Sequence, residues 1–138
     1  MRSDERSMYY FFSANYPGKT SPGCWRPNVD IFETESDVVV ALEVPGVSPE
    51  DIQITQHHDK LMVRGIRHLP MEDEPRHFHQ IEISNGRFEK EIVLSRPLHG
   101  APVKATLSLG ILRIKIAKKG ATRDDSERKI PITGGNDQ

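Results

Sequence analysis

The sequence of 138 residues is poor in cysteine and in aromatic residues, and it has almost no net charge. Its single cysteine, Cys24, excludes an internal disulfide framework and favours a reducing compartment, so we predict a cytoplasmic protein. A formal net charge of −1 gives no basic surface for nucleic acid or an anionic membrane. No apolar run approaches the roughly 18 residues that span a bilayer, and the charged first residues argue against a secretory signal.

Motifs that mark catalytic and cofactor sites are also missing. The sequence has no G-x-S-x-G elbow, no glycine-rich phosphate loop and no Cys/His constellation, so we predict neither an enzyme nor a cofactor. The six histidines raise the possibility of zinc, which needs three or four convergent ligands, and Cys24 offers no paired thiol. We therefore predict no metal site and assign the histidines to the surface or an interface, where a pH effect on assembly stays open.

Residues 25–119 carry a β pattern throughout. Apolar residues alternate with polar ones at Ile52 and Ile54, and short apolar or alternating runs recur between turn signals such as Pro45-Gly46. Gly110 separates the last two predicted strands, where a tight turn or bulge is expected. Many short strands without a long helical period predict an all-β, immunoglobulin-like sandwich domain.

Residues 1–24 form a predicted flexible arm ahead of this domain. The arm contains five of the nine aromatic residues of the chain, and these are Tyr9, Tyr10, Phe11, Phe12 and Tyr16. The cluster could be a stray piece of the core. Because no helical or strand repeat organises it, we favour an adhesive, poorly ordered arm.

Residues 120–138 form a polar tail interrupted by one apolar motif, Ile130-Pro131-Ile132. Such a tail cannot bury enough apolar surface to fold alone. In an extended segment the two isoleucines point the same way and can enter neighbouring pockets together, and Pro131 favours that extended conformation. The tail could pack on its own domain. The interpretation that we favour is a plug that links the chain to another subunit.

Six segments resemble, in the same order, landmarks of the small heat shock proteins of bacterial type, the alpha-crystallin or Hsp20 family. The resemblance covers about residues 25–132, and Ala105–Leu112 is similar to the family signature A-x-x-x-n-G-[VI]-L. The matching segments are Trp25–Thr34, Val38–Gly46, Leu61–Gly65, Asn85–Glu89, Ala105–Leu112 and Ile130–Ile132. The chain departs from the pattern at Lys90, where many relatives have arginine, so an ion pair carried over to this position would have a single donor.

The resemblance implies a stress-response chaperone that forms dimers and larger homo-oligomers. In such a dimer, a strand in the long loop pairs with the opening strand of a partner, and the loop strand here would comprise His77, Phe78, His79, Gln80, Ile81, Glu82 and Ile83. The tail plug would then enter a groove lined by Ile52, Ile54, Val103, Ala105 and Leu107. The implied function is that of an ATP-independent holdase that binds non-native clients through the aromatic arm and the vacated groove. The alternative is a co-chaperone or adaptor that binds one folded partner.

Overall fold

The computed structural model describes residues 23–57, 59–69, 74–95, 98–119 and 127–134. The arm residues predicted to contact clients, Tyr9, Tyr10, Phe11, Phe12 and Tyr16, lie outside these ranges. Within them the chain forms nine strands and one short 3₁₀ turn, Pro49–Asp51, which precedes the third strand. The strands are β1 (Val29–Glu33), β2 (Asp37–Glu43), β3 (Ile52–His57), β4 (Lys60–Arg67), β5 (Gly86–Val93), β6 (Val103–Ser108), β7 (Ile111–Ala117), β8 (Arg128–Ile130) and β9 (Ile132–Gly134).

The strands form the two sheets of a β-sandwich, as the sequence predicts. One sheet has the order β1-β2-β7-β6-β9 and the other has the order β5-β4-β3-β8. All pairs are antiparallel except β6 with β9. β8 and β9 both come from the tail, so the chain crosses from one sheet to the other at Pro131.

The burial of each strand follows from its position and its sequence. β2 is the apolar run of the sequence, and Val38, Val39 and Val40 are all buried between β1 and β7. β3 alternates as predicted, because Ile52 and Ile54 point into the core while the residues between them are more exposed. The buried apolar side chains of both sheets form one continuous core.

The turn between β6 and β7 depends on Gly110, as the sequence predicts. Gly110 has a φ of +79°, in the left-handed region that glycine adopts most easily. A Cβ at this position would lie 2.9 Å from the Cα of Pro45. The glycine therefore allows the β6–β7 turn to approach the loop that follows β2.

The alternating segment from His77 to Ile83 contains no strand in the single chain. Residues 74–84 of this region are all exposed, including both isoleucines of the alternation, Ile81 and Ile83. The sequence pattern predicts a strand, but none of the nine described strands pairs with this segment. Pairing with a second chain stays a prediction.

Candidate binding groove and assembly surfaces

The groove predicted to accept the tail lies between β3 of one sheet and β6 of the other. Ile54 on β3 is 1% exposed, and Ala105 and Leu107 on β6 are 3% and 4% exposed. Ile52 is buried at the start of β3, while Val103 is half-buried at the start of β6. The small side chain of Ala105 leaves space that a larger apolar side chain can fill.

The tail of the same chain occupies this groove. β8 pairs with β3 so that Ile130 lies opposite Ile54, and β9 pairs with β6 so that Ile132 lies opposite Ala105. Ile130 is 7% exposed and joins the core, and Ile132 packs against it. The single chain thus adopts the alternative in which the tail packs on its own domain. Insertion of the tail into another subunit stays a prediction.

Backbone contacts hold the end of the tail close to β6. Gly134 lies opposite Leu107 and has a φ of +98°. A Cβ at Gly134 would lie 2.4 Å from the carbonyl oxygen of Leu107, so only glycine fits without movement. The Thr133 hydroxyl also donates to the carbonyl oxygen of Ala105 at 3.3 Å.

A polar contact of the buried Gln56 continues the groove beyond Ile130, and it is absent from the predictions made from the sequence. Gln56 on β3 is 2% exposed and lies opposite Arg128 of β8. Its Nε2 donates to the carbonyl oxygen of Ala101 at 3.1 Å, and its Oε1 accepts from Arg128 Nε at 2.6 Å. Arg128 Nη2 donates to the same Ala101 oxygen at 2.5 Å. The only sequence signal is that Gln56 continues the inward-facing alternation of Ile52 and Ile54.

The predicted dimer segment presents an apolar surface. Phe78, Ile81 and Ile83 are 55%, 69% and 74% exposed. Together with Leu69 and Pro45 they border a cavity of about 700 Å³ between the loop and the body of the domain. β1 is the edge strand of the five-stranded sheet. It pairs only with β2 among the described strands, and it exposes Phe32. Both features are surfaces on which a second strand can add.

Arg67 anchors the base of this loop. Its Nε donates to the carbonyl oxygen of Ser84 at 3.0 Å, with a second bond from Nη2 to the same oxygen, and its Nη1 donates to the carbonyl oxygen of Pro45 at 3.2 Å. The guanidinium carbon lies 4.2 Å from the ring centroid of Trp25, and the Trp25 ring nitrogen donates to the Gly86 carbonyl at 3.1 Å. The returning end of the loop is thus fixed to β4 by one side chain.

Lys90, which stands where the family pattern has arginine, is a buried charged residue. It is 9% exposed and lies on β5 between the inward-facing Phe88 and Ile92. Burial, and then the positive charge of Arg26, lower the pKa of the Lys90 amine from its ordinary value of 10.5. No acidic side chain of the described residues forms an ion pair with Lys90. No carboxylate of the described residues therefore neutralises a positive charge on the Lys90 amine.

Across the described ranges, no group of three or more His, Cys, Asp and Glu side chains could hold a metal ion. A helix of the length and hydropathy needed to cross a membrane does not occur among them.

Comparison with known proteins agrees with this architecture. The chain is 31% identical over 108 residues to small heat shock protein C2 of Rickettsia felis, a match that covers 78% of this chain and 68% of that protein. It is 29% identical over 112 residues to spore protein SP21 of Stigmatella aurantiaca, covering 79% of this chain and 66% of that protein. A solved small heat-shock protein of Xylella fastidiosa superposes with a TM-score of 0.60 and 30% identity, covering 80% of this chain and 98% of the other.

One family model matches both the two-sheet sandwich and the tail motif. The family model described as "Hsp20/alpha crystallin family" matches residues 30–133, which include all the strands from β2 to β8 and most of the terminal two. The matched range extends through the Ile-Pro-Ile motif that lies in the groove. The chain belongs to the Hsp20/alpha-crystallin family of small heat shock proteins.

Proposed function

We propose that this chain is an ATP-independent holdase chaperone that binds non-native proteins and limits their aggregation. The observation that carries this proposal is the apolar groove between the two sheets, closed by only two three-residue strands of the tail. Burial of Ile130 contributes roughly 1.5–3 kcal/mol and the half-buried Ile132 contributes less, and the ordering of the tail backbone, at about 1–2 kcal/mol per residue, offsets this gain. The tail can therefore leave reversibly and expose apolar surface without unfolding the sandwich.

The working unit in this proposal is a homodimer. The exposed apolar side chains of Phe78, Ile81 and Ile83 lie in a segment that pairs with none of the described strands of its own chain. Addition of this segment to the free edge of β1 in a second chain would cover both surfaces at once. Backbone hydrogen bonds would supply the affinity, as in other cases of strand addition.

Tails then connect dimers into larger homo-oligomers in the proposed assembly. The groove that holds the tail of its own chain can hold the tail of another, because both contain the same residues. A single link is weak, but several links on one particle act together through their effective concentration. Exchange of such links would give clients access to the groove.

Clients are proposed to bind at two places, the vacated groove and the aromatic arm of residues 1–24. The tyrosines and phenylalanines of the arm supply large apolar contact area at a low cost in side-chain entropy. The domain of residues 25–119, the arm and the tail of residues 120–138 would then have separate roles in a cytoplasmic protein. Binding of the unfolded state does not stabilise native clients, so the protein should act only on clients that have begun to unfold.

An aggregation assay tests the holdase function. A thermally labile client is heated in the presence of the full chain without nucleotide, and light scattering is followed over time. We expect scattering to be suppressed at a chain-to-client ratio near or above one, with no change when ATP is added. Undiminished scattering with several unrelated clients would reject the holdase and favour the adaptor alternative, in which one folded partner is bound.

A further inference from the structure

The groove contains a recognition element that the Ile-Pro-Ile motif does not account for. Gln56 has a buried carboxamide in an otherwise apolar face of β3, between the two sheets. Buried polar groups are expensive unless they are hydrogen-bonded, so a carboxamide at this place requires partners. One is the carbonyl oxygen of Ala101, and the other is the guanidinium of Arg128, which arrives only with the tail.

We infer that the groove is a receptor for an Arg-x-Ile-x-Ile strand, in which Gln56 Oε1 and the Ala101 carbonyl oxygen select the arginine. This inference rests on the proposed exchange of tails between subunits and names the chemistry that specifies it. Arg128 and Ile130 are two residues apart on β8 and lie opposite Gln56 and Ile54, which are two residues apart on β3. The polar pair and the apolar pair are therefore neighbouring cross-strand pairs in one register.

Arginine fits this receptor better than lysine does. Two different nitrogen atoms of Arg128 donate to two different acceptors, Nε to Gln56 Oε1 and Nη2 to the Ala101 oxygen. The flat guanidinium holds these donors in a fixed arrangement, whereas a lysine has one flexible ammonium group. Loss of the arginine would also leave the buried Gln56 oxygen without the donor that the tail supplies.

The arginine also determines the direction and register of the bound strand. Ile130-Pro131-Ile132 reads the same in both directions, so the two isoleucines alone do not distinguish a tail from its reverse. Arg128 lies on one side of this motif and has its acceptors at one end of the groove. A strand that slipped by two residues would place the guanidinium opposite Ile54, where the structure offers an apolar side chain.

Peptide binding to the full-length chain tests this inference. The receptor carries Arg128→Ala, Ile130→Ala and Ile132→Ala, so that its own tail competes weakly. Fluorescein-labelled peptides of residues 126–134 are titrated by anisotropy in the native form and with Arg128→Lys, Arg128→Ala or both isoleucines changed to alanine. We expect the Lys and Ala peptides to bind roughly tenfold more weakly than the native peptide. The Ile-free peptide should show no measurable binding.

A second receptor separates selection of the arginine from the general effect of its charge. With Gln56→Leu added, the preference for arginine over lysine should fall to about threefold or less, because one of two acceptors is gone. If the receptor that retains Gln56 binds the Arg, Lys and Ala peptides equally, the inference is overturned, while the isoleucine-dependent link of the proposed function stands. If the native peptide does not bind at all, recognition between chains is rejected, and the aggregation assay alone then decides the holdase function.

Discussion

Arg67 stacks on Trp25 with 4.2 Å between the guanidinium carbon and the ring centroid, and it also donates to the carbonyl oxygens of Ser84 in the long loop and of Pro45 after β2. Trp25 also forms a bridge to Phe88 on β5, with the two ring centroids 5.2 Å apart. The start of the described chain, the end of the long loop at Ser84 and the segment that follows β2 therefore meet at the Arg67 guanidinium. Because Trp25 is the only tryptophan, its fluorescence reports on this junction.

Arg67→Lys should weaken this junction while it preserves the charge. Loss of the stacked, three-donor guanidinium removes about 0.5–2 kcal/mol of local stability, and the loop base should loosen. We expect a red shift of Trp25 emission and a several-fold weaker dimer, measured by fluorescence and by dilution in analytical ultracentrifugation. Arg64→Lys is the matched control, because Arg64 lies on the same strand but pairs with Glu89 of β5 and, among the described residues, makes no bond to the loop or to Trp25. Equal effects of both changes would show that Arg67 has no special role.

Ile81→Pro should separate the dimer into monomers. Ile81 is 69% exposed in a segment without strand pairing, so proline is tolerated by the single chain described here. In a strand added to a partner, the ring removes a donor and costs about 3 kcal/mol or more. Mass measurement at low micromolar concentration should show monomers with unchanged β circular dichroism, whereas Ile81→Val should remain dimeric. An intact proline-substituted dimer would place the interface elsewhere.

Changing both Ile130 and Ile132 to alanine should reduce the assembly to dimers. The buried Ile130 contributes about 1.5–3 kcal/mol per link and the half-buried Ile132 contributes less, before the ordering of the tail is subtracted. Native mass spectrometry should show the loss of large species, with a folded sandwich by circular dichroism. Thr133→Ala is the control, because Thr133 is exposed and makes only one long hydrogen bond. Particles of unchanged mass in the double variant would mean that tails pack only on their own domains.

Gly110→Ala should destabilise the sandwich more than Gly86→Ala. Both glycines have positive φ, +79° and +88°, which alanine adopts at a cost of about 1–2 kcal/mol. Only Gly110 has backbone atoms of Pro45 within contact distance, whereas nothing lies within 4 Å of a Cβ at Gly86. Urea unfolding should show a loss of about 2 kcal/mol or more for Gly110→Ala and a smaller loss for Gly86→Ala. Equal losses of stability in the two variants would mean that the positive φ, and not the contact with Pro45, accounts for the effect.

Lys90→Met should stabilise the domain near neutral pH. The pKa of Lys90 is lower in the folded chain than its ordinary value of 10.5, so protonation at neutral pH opposes folding. This destabilisation is fully present below the folded-state pKa and fades as the pH rises toward 10.5. The advantage of the methionine variant in urea unfolding should shrink over the same interval. Lys104→Met, at an exposed position of β6, should show no such pH-dependent gain. A pH-independent difference at Lys90 would exclude the charge as its cause.

The sequence predicts the sandwich because its signals are local. The alternation of Ile52 and Ile54 defines a strand and its inner face, and Gly110 marks a turn, without knowledge of any distant residue. The receptor for Arg128 could not be found in this way. Gln56 lies 72 residues away from Arg128, and a glutamine near a predicted turn has the composition of ordinary surface. Only the paired register of β3 and β8 shows that its side chain is buried and that the tail supplies its donor.

Because the tail crosses between the sheets at Pro131, its departure changes both sheets in one step. β3 and β6, which are interior strands while the tail is bound, become terminal strands on opposite walls of the same cleft. Each then presents a row of N–H and C=O groups that had been paired with the tail. The open cleft is therefore apolar, and it is also lined on two sides by backbone groups. These groups can hydrogen-bond to any extended chain, whatever its side chains. A collapsed or helical polypeptide offers no such backbone, so the cleft distinguishes its ligands by conformation before it distinguishes them by sequence.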